Sequence, residues 1–297
     1  MFCALQAGSY TDPRHFAIIM SPVADCNLRQ YLEHAETSSA PFISVRLQGW
    51  FGCLATAVQY LHAIKIRHRD IKPANILVHG DRVLLVDFEL SLDWKDLAQS
   101  TTTSDCGATP LYAAPEVIHY KKRNSSSDIW SLGCVFLEMA TVLKGRRISE
   151  MRELFKSQGE NAVFYINLRG VSEWITMLKG LSVTGNEPFS WISKMLQEDK
   201  ELRPKAGAVL DLIRRSQATL LESSIYFGNC CQSQSQISAA SSTLYSLCKS
   251  ESGSVRHPFA ITELQLTTEG LLAKQLSMYS LRHGTPKSYT TESKTRC

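Results

Sequence analysis

Apolar residues recur along the first two thirds of the chain with two periods. Between residues 44 and 64, Val45, Leu47, Phe51, Leu54, Val58 and Leu61 follow at intervals of mostly three or four. That spacing lines them along one side of a helix. Residues 28–34 read as a shorter helix. Residues 16–20 (FAIIM) form a short apolar run closed by Ser21-Pro22, which predicts a strand that ends there. Residues 76–78 and 83–86 predict two short strands around His79-Gly80-Asp81, a hairpin turn. Residues 129–139 are so apolar that, as a helix, they must be buried nearly all round. Residues 174–178, 191–196 and 204–213 predict further helices, the last with Pro204 in its first turn.

The pattern fades near residue 215. Beyond it Ser and Thr rise to about 30%, and residues 223–246 approach low complexity. This tail is expected to be mostly disordered. A modest helical signal survives at 261–281, where Leu264, Leu271, Leu272, Leu276 and Leu281 share a face. No repeat of solenoid length occurs.

Composition narrows the picture only a little. A chain of 297 residues suggests one or two domains. With 32 basic and 28 acidic residues the formal charge is +4, too weak to argue for nucleic acid or a membrane surface. No run approaches the roughly 20 apolar residues that span a bilayer, and the start has no basic-then-apolar leader, so no secretory signal is expected. The nine cysteines are odd in number and irregular in spacing. Cys53 and Cys134 lie in apolar contexts and read as buried free thiols of a reducing compartment. No Cys or His pattern suggests zinc. His62 and the other scattered histidines read as surface or cap residues, the five tryptophans as core. The basic clusters at 121–123 and 144–147 read as solvated loops or docking charge.

The chemistry concentrates in HRDIKPANILV, residues 68–78, and VDFEL, residues 86–90. Asp70 and Asp87 each lie near a turn flanked by strands, with Lys72 and Asn75 between them. Two carboxylates, an amide and an ammonium suit a divalent metal and a phosphate, because Mg²⁺ takes hard oxygen ligands alongside phosphate oxygens. A second carboxylate can orient a hydroxyl nucleophile.

These strings resemble the C-terminal lobe of eukaryotic protein kinases. His68-Arg69-Asp70 with Asn75 matches the catalytic-loop pattern H-R-D-x-x-x-x-N, and Asp87-Phe88 the start of D-F-G. Ala114-Pro115-Glu116 matches A-P-E, residues 128–133 (DIWSLG) resemble the buried helix that follows, and Arg203 the late arginine. Lys72, two residues after the aspartate, is the serine/threonine-kinase variant. The resemblance covers residues 4–215 and implies an α+β, protein-kinase-like fold: a mostly helical C-lobe with a remnant of the small β lobe. The implied division is 1–25 for the remnant and hinge, 26–215 for the C-lobe and 216–297 for the tail.

By resemblance, Asp70 orients the substrate hydroxyl and Lys72 steadies the transferred phosphate. Asn75 and Asp87 hold Mg²⁺. Met20, Val23 and Leu77 line the adenine site for ATP, Met20 at the back, Val23 in the hinge, Leu77 as the floor. Thr109 contacts Asp70. Asp128 caps the catalytic-loop backbone, and Glu116 pairs with Arg203. Arg69 points to regulation by phosphorylation in the next loop, with Thr101, Thr102, Thr103 and Ser104 as candidates. The implied partners are protein substrates or a protein partner, with no membrane and no nucleic acid, in the cytoplasm or the nucleus.

Two departures stand out. Nothing before His68 supplies a G-x-G-x-x-G loop, a V-A-I-K lysine or the partner glutamate, and Lys65 is at the wrong end of a helix to replace the lysine. The start is therefore expected to be poorly ordered, or the true chain longer. Glu89 replaces the D-F-G glycine, trading backbone freedom for a negative charge. Three readings stay open: a serine/threonine kinase, a pseudokinase or scaffold without chemistry, and a fragment of an active kinase.

Overall fold

The computed structural model describes residues 5–12, 14–38, 41–95, 109–159, 161–218, 226–228 and 231. The chain opens on β1 (Leu5–Thr11) and β2 (Phe16–Ser21), an antiparallel hairpin with a register shift between Gln6 and Gly8. The stretch expected to lack order thus forms paired strands, each with one edge unpaired among the described residues.

The next element is β3 (Cys26–Asn27), which runs straight into α1 (Leu28–Ala35). Asn27 starts this helix for a local reason. Its side chain accepts from the Gln30 amide at 3.0 Å, while the Gln30 side chain accepts from the Asn27 amide at 3.0 Å. Two otherwise unpaired donors are satisfied together. β3 pairs with β5 (Ile76–His79), and β5 with β6 (Arg82–Leu85) across the two-residue turn Gly80-Asp81. Gly80 has φ +60°, open to glycine without penalty, and its amide donates to Asp25 at 2.7 Å. The strands predicted from the sequence are therefore the central and edge strands of one small sheet. Between them and α2 (Pro41–Ala63) lies β4 (Ile66–Arg67), bridged to β7 (Leu92–Asp93). These two-residue strands are too short to leave a period in the sequence.

The helical core is built on α2 and α4 (Ser126–Leu143). α2 buries Ile43, Leu47, Trp50, Phe51, Leu54, Val58 and Leu61, whereas Val45, expected on that face, is 59% exposed. The true stripe starts at Ile43, and Val45 lies half a turn away from it. α4 is buried from Asp128 to Thr141, as its all-round apolarity requires. By length and apolarity it is the one described helix that would suit a bilayer, contrary to the expectation of none, but it is packed inside the protein. Phe136 of α4 meets Phe51 of α2 edge-on, centroids 4.9 Å apart.

α3 (Pro115–Ile118) is a single turn. α5 (Ile148–Gln158) is a helix the hydrophobic pattern does not announce, because only Met151 and Phe155 of its residues are buried. Its first amide, on Ile148, donates at 2.8 Å to the Glu36 side chain just after α1. α6 (Leu168–Leu181), α7 (Glu187–Met195) and α8 (Ala206–Ala218) complete the lobe. α8 starts two residues after Pro204.

Packing continues past residue 215. Tyr226 is 1% exposed and sits edge-on to Trp191 at 4.9 Å and to Phe51 at 6.2 Å. Apart from residues 216–218, 226–228 and 231, the tail, including the helical signal at 261–281, lies outside the described residues. In the basic clusters Lys121, Lys122 and Arg147 are exposed, as expected of solvated loops, but two members are tied down. Arg123 is 3% exposed, and Lys144 donates to the carbonyls of Ser182 and Thr184 at 3.3 and 2.6 Å. Cys53 and Cys134 are buried and in no disulfide, as their apolar contexts predict.

Candidate active site

The loop between β4 and β5, residues 68–75, ends in a 3₁₀ turn, Pro73–Asn75. Proline opens that turn with its φ already fixed. The geometry gathers three polar side chains around one carboxylate. Lys72 Nζ donates to Asp70 Oδ2 at 2.6 Å and to Thr109 Oγ1 at 2.8 Å. Asn75 Nδ2 donates to the Asp70 carbonyl and to Asp70 Oδ2, both at 2.9 Å. Thr109 Oγ1 donates to Asp70 Oδ1 at 2.9 Å. Burial pushes the Asp70 carboxyl up, but the bonds from Lys72 and Thr109 outweigh it and hold the group below its ordinary range. Asp70 is therefore a carboxylate at neutral pH. Oδ2 accepts two strong bonds, whereas Oδ1 accepts one, with the Thr109 amide at 3.4 Å a weak addition. The long amide bond is the one a further hydroxyl donor could displace on Oδ1.

The loop is held from below. Asp128, at the start of α4, accepts from the His68 and Arg69 amides at 3.0 and 2.8 Å and sits 2.9 Å from His62 Nε2. Arg69 has φ +72°, a left-handed turn that aims both amides at one carboxylate. His68 is fully buried; its Nε2 lies 2.9 Å from the Val86 carbonyl and its ring 4.9 Å from Phe88. Burial lowers the pKa of His68 below 6.5, against the raising pull of Asp128. The unfolded chain therefore binds this proton more readily than the folded one. Stability from His68 is complete above about pH 6.5 and declines as pH falls below it. Unfolding in urea from pH 7 to pH 5 should show this slope, and His68→Gln should flatten it. Equal slopes in both proteins would refute the assignment.

Asp87 follows β6 directly. Val86 ties the two halves of the site: its amide donates to the Asn75 carbonyl at 3.0 Å, and its carbonyl faces His68. Asp87 has φ +65° and an exposed carboxylate with no partner among the described residues. Asn75 uses both Nδ2 hydrogens on Asp70, leaving Oδ1, the amide atom able to ligate a hard cation. A spare carboxylate and a spare amide oxygen on adjoining strand ends fit Mg²⁺. Glu89 is exposed and is absent from the residues at positive φ, so the backbone does not call on a glycine there. The left-handed conformation is at Asp87 instead, a residue type that tolerates it.

The predicted adenine residues are less gathered. Leu77 is half-buried against Leu84 and Val86. Val23 is 84% exposed, just after Ser21-Pro22. Met20 pairs with Gln6 in the first hairpin. Lys65 lies with its ammonium 4.6 Å from the centre of the Trp94 ring, away from these residues' strand pairings.

Downstream, Arg203 grips Glu116 with two bonds of 2.7 and 2.8 Å. It also donates to the carbonyls of Gln197, Glu198 and Ser126, and it lies over Trp130 at 5.0 Å. Arg69 lines a small cavity with Arg67 and Arg123. The candidate phosphorylation residues 101–104 lie outside the described residues. Beside Lys72 and Thr109 opens a cavity of about 700 Å³ between α1, α4 and α5, lined in part by Glu33, Glu36, Leu111, Tyr112, Glu138 and Arg152. Glu138 pairs with Arg152 and accepts from the Tyr112 hydroxyl; burial lifts its carboxyl to about 7.

The model of the protein kinase domain matches residues 5–212. The chain belongs to the eukaryotic serine/threonine protein kinase family. Among similar proteins, mitogen-activated protein kinase kinase kinase ANP1 of Arabidopsis thaliana is 34% identical over 53% of this chain and 22% of its own length. Eukaryotic translation initiation factor 2-alpha kinase 1 of Mus musculus is 30% identical over 57% of this chain and 32% of its own. The chain spans less than half the length of the curated relatives it matches. Members of this kinase family use ATP and Mg²⁺ on protein substrates, and the mostly helical lobe is the fold expected.

Within this kinase lobe, the contacts expected of Asp128, Thr109, Glu116 and Arg203 are all present. His62 is the residue sequence reading passed over. It sits on α2, 66 positions from Asp128, and a lone histidine in a helix carries no signal of its partner.

Proposed function

We propose that this chain carries the catalytic-loop lobe of a serine/threonine kinase and transfers the terminal phosphoryl group of Mg²⁺-ATP to protein serine or threonine hydroxyls. The observation that carries this reading is the Asp70 carboxylate fixed by Lys72, Asn75 and Thr109, with the second bond to Oδ1 a weak one of 3.4 Å. A substrate hydroxyl entering from the neighbouring cavity would donate to Oδ1 in place of that weak bond. Its depressed pKa makes Asp70 a weak base, suited to orienting the hydroxyl and taking the proton late in a loose transition state. Lys72 keeps its ammonium at the mouth of the site, next to where the moving phosphoryl group would lie. Asn75 Oδ1 and Asp87 would hold Mg²⁺, which when bound neutralises phosphate charge. Met20, Val23 and Leu77 would receive the adenine.

The competing reading is a protein-binding lobe without chemistry. It draws on residues 1–67, which hold no glycine loop and no V-A-I-K lysine to cover the phosphates. Nucleotide binding separates the two. Mg²⁺ and ATP together should raise the melting temperature by several degrees, at about 2–4 °C per kcal/mol of binding linkage. Asp87→Asn should remove most of that rise. No rise in the unaltered chain would favour the binding lobe.

A further inference from the structure

α2 carries two glycines one turn apart, Gly49 and Gly52, on either side of Trp50 and Phe51. Both face residues 226–228. A Cβ on Gly52 would lie 2.3 Å from the Tyr226 carbonyl oxygen and 2.4 Å from the Phe227 ring; one on Gly49 would lie 3.0 Å from the Gly228 nitrogen. The missing side chains let two backbones meet. The Gly52 amide donates to the Tyr226 carbonyl at 2.8 Å, and the Gly228 amide donates to the Gly49 carbonyl at 3.0 Å. Backbone groups in mid-helix are normally screened by side chains, so this pair of bonds needs the notch.

The incoming string is read by side chain as well. The Tyr226 ring packs edge-on against Trp191 and Phe51, whose own rings meet at 5.9 Å, and its hydroxyl donates to Glu187 Oε2 at 2.7 Å. Its amide donates to Gln217 Oε1 at 3.2 Å. Gly228 is itself constrained, because a Cβ there would come within 3.2 Å of Cys53 Sγ. The string lies beyond residue 212, where the match to the kinase domain ends. The groove also extends past it. A cavity of about 460 Å³, lined by Tyr226 with Ser44, Gln48, Leu181, Thr184 and Pro188, continues beside the tyrosine.

We propose that this groove is a peptide-docking site for a Tyr-Phe-Gly string, occupied in cis by the chain's own Tyr226, Phe227 and Gly228. The notch selects the backbone, the Trp191–Phe51 pair selects an aromatic ring, Glu187 selects a hydroxyl on it, and Cys53 favours a small residue two places on. The proposal goes beyond phosphoryl transfer and does not depend on it. It does bear on the site, since the helix that receives the string also supplies His62 to Asp128.

The test uses the full chain carrying Tyr226→Ala and a fluorescent peptide of residues 222–232, kept reduced, with binding read by anisotropy. The peptide should bind the variant at least tenfold more tightly than the unaltered chain, whose groove is filled. Hydrogen exchange at the Gly52 amide should rise at least tenfold in the variant and return toward the original rate when peptide is added. A peptide with phenylalanine at the tyrosine position should bind about tenfold more weakly, the effect of one hydrogen bond to a carboxylate. If the alanine variant does not fold, Tyr226→Phe in the chain loses only the hydroxyl and should still bind the peptide more tightly than the unaltered chain. Equal peptide binding by variant and unaltered chain, or exchange at Gly52 that peptide does not restore, would overturn the proposal and leave the string a fixed part of the fold.

Discussion

Arg203→Ala should cost about 3–5 kcal/mol of folding stability, the range for breaking a buried ion pair from one side. Arg203 is inaccessible to solvent and Glu116 nearly so. With the arginine gone, the Glu116 carboxylate stays buried with only the Ser127 hydroxyl, 3.0 Å away, to offset its lost hydration. Three carbonyls, of Gln197, Glu198 and Ser126, lose a donor at the same time. The contact joins α3 to the segment between α7 and α8, so its loss should loosen both. Urea unfolding measures the effect directly. The double variant Glu116→Gln with Arg203→Met should recover part of it, because the uncompensated charge is then absent. A loss below 1 kcal/mol for Arg203→Ala would mean that water reaches the carboxylate and that the pair is not structural.

Asp128→Ala should be about as damaging, and in a different place. Asp128 accepts from two buried amides and meets His62. Each buried N–H left without an acceptor costs about 1–3 kcal/mol, so roughly 3–5 kcal/mol is expected in all. Asn would help little, since its NH₂ would face one of the donors. Amide exchange at His68 and Arg69 should speed up before the rest of the lobe does. The pH dependence follows from the same contacts. Burial raises the Asp128 pKa, but the His62 bond and the Arg69 amide outweigh it, so the net value falls below 3.8. Its stabilising contribution is present above that pH and is lost as pH falls through the folded value. If exchange at His68 and Arg69 were unchanged in Asp128→Ala, the carboxylate would not be what holds the loop.

Much of the fold is legible in the sequence because the helical lobe is written in long periods. α2 and α4 each carry enough apolar residues to fix their buried faces. α5 is not legible, since two buried side chains in eleven residues set no period. β4 and β7 are two residues each, and their pairing is decided by the loop around them. The contrast at the site has the same cause. Asp70, Lys72, Asn75 and Asp87 lie within 18 positions, and the short spacings alone bring the first three together. His62 and Asp128, or Gly52 and Tyr226, meet across 66 and 174 positions. Glycines in mid-helix signal a close approach, but which segment approaches is settled only by packing. Residues 226–228 lie in a Ser-rich stretch that reads as disorder, and it is one aromatic ring packed on Trp191 and Phe51 that reverses that reading locally.

In the proposed function Asp70, with Lys72 and Asn75, directs phosphoryl transfer. The most direct measurement is transfer of labelled terminal phosphate from Mg²⁺-ATP to serine- and threonine-containing protein substrates, by the unaltered chain and by Asp70→Asn. The unaltered chain should incorporate label and the variant at least a hundredfold less, with circular dichroism and the melting temperature of the lobe little changed. Absence of incorporation by the unaltered chain, or incorporation that survives Asp70→Asn, would contradict the proposed function.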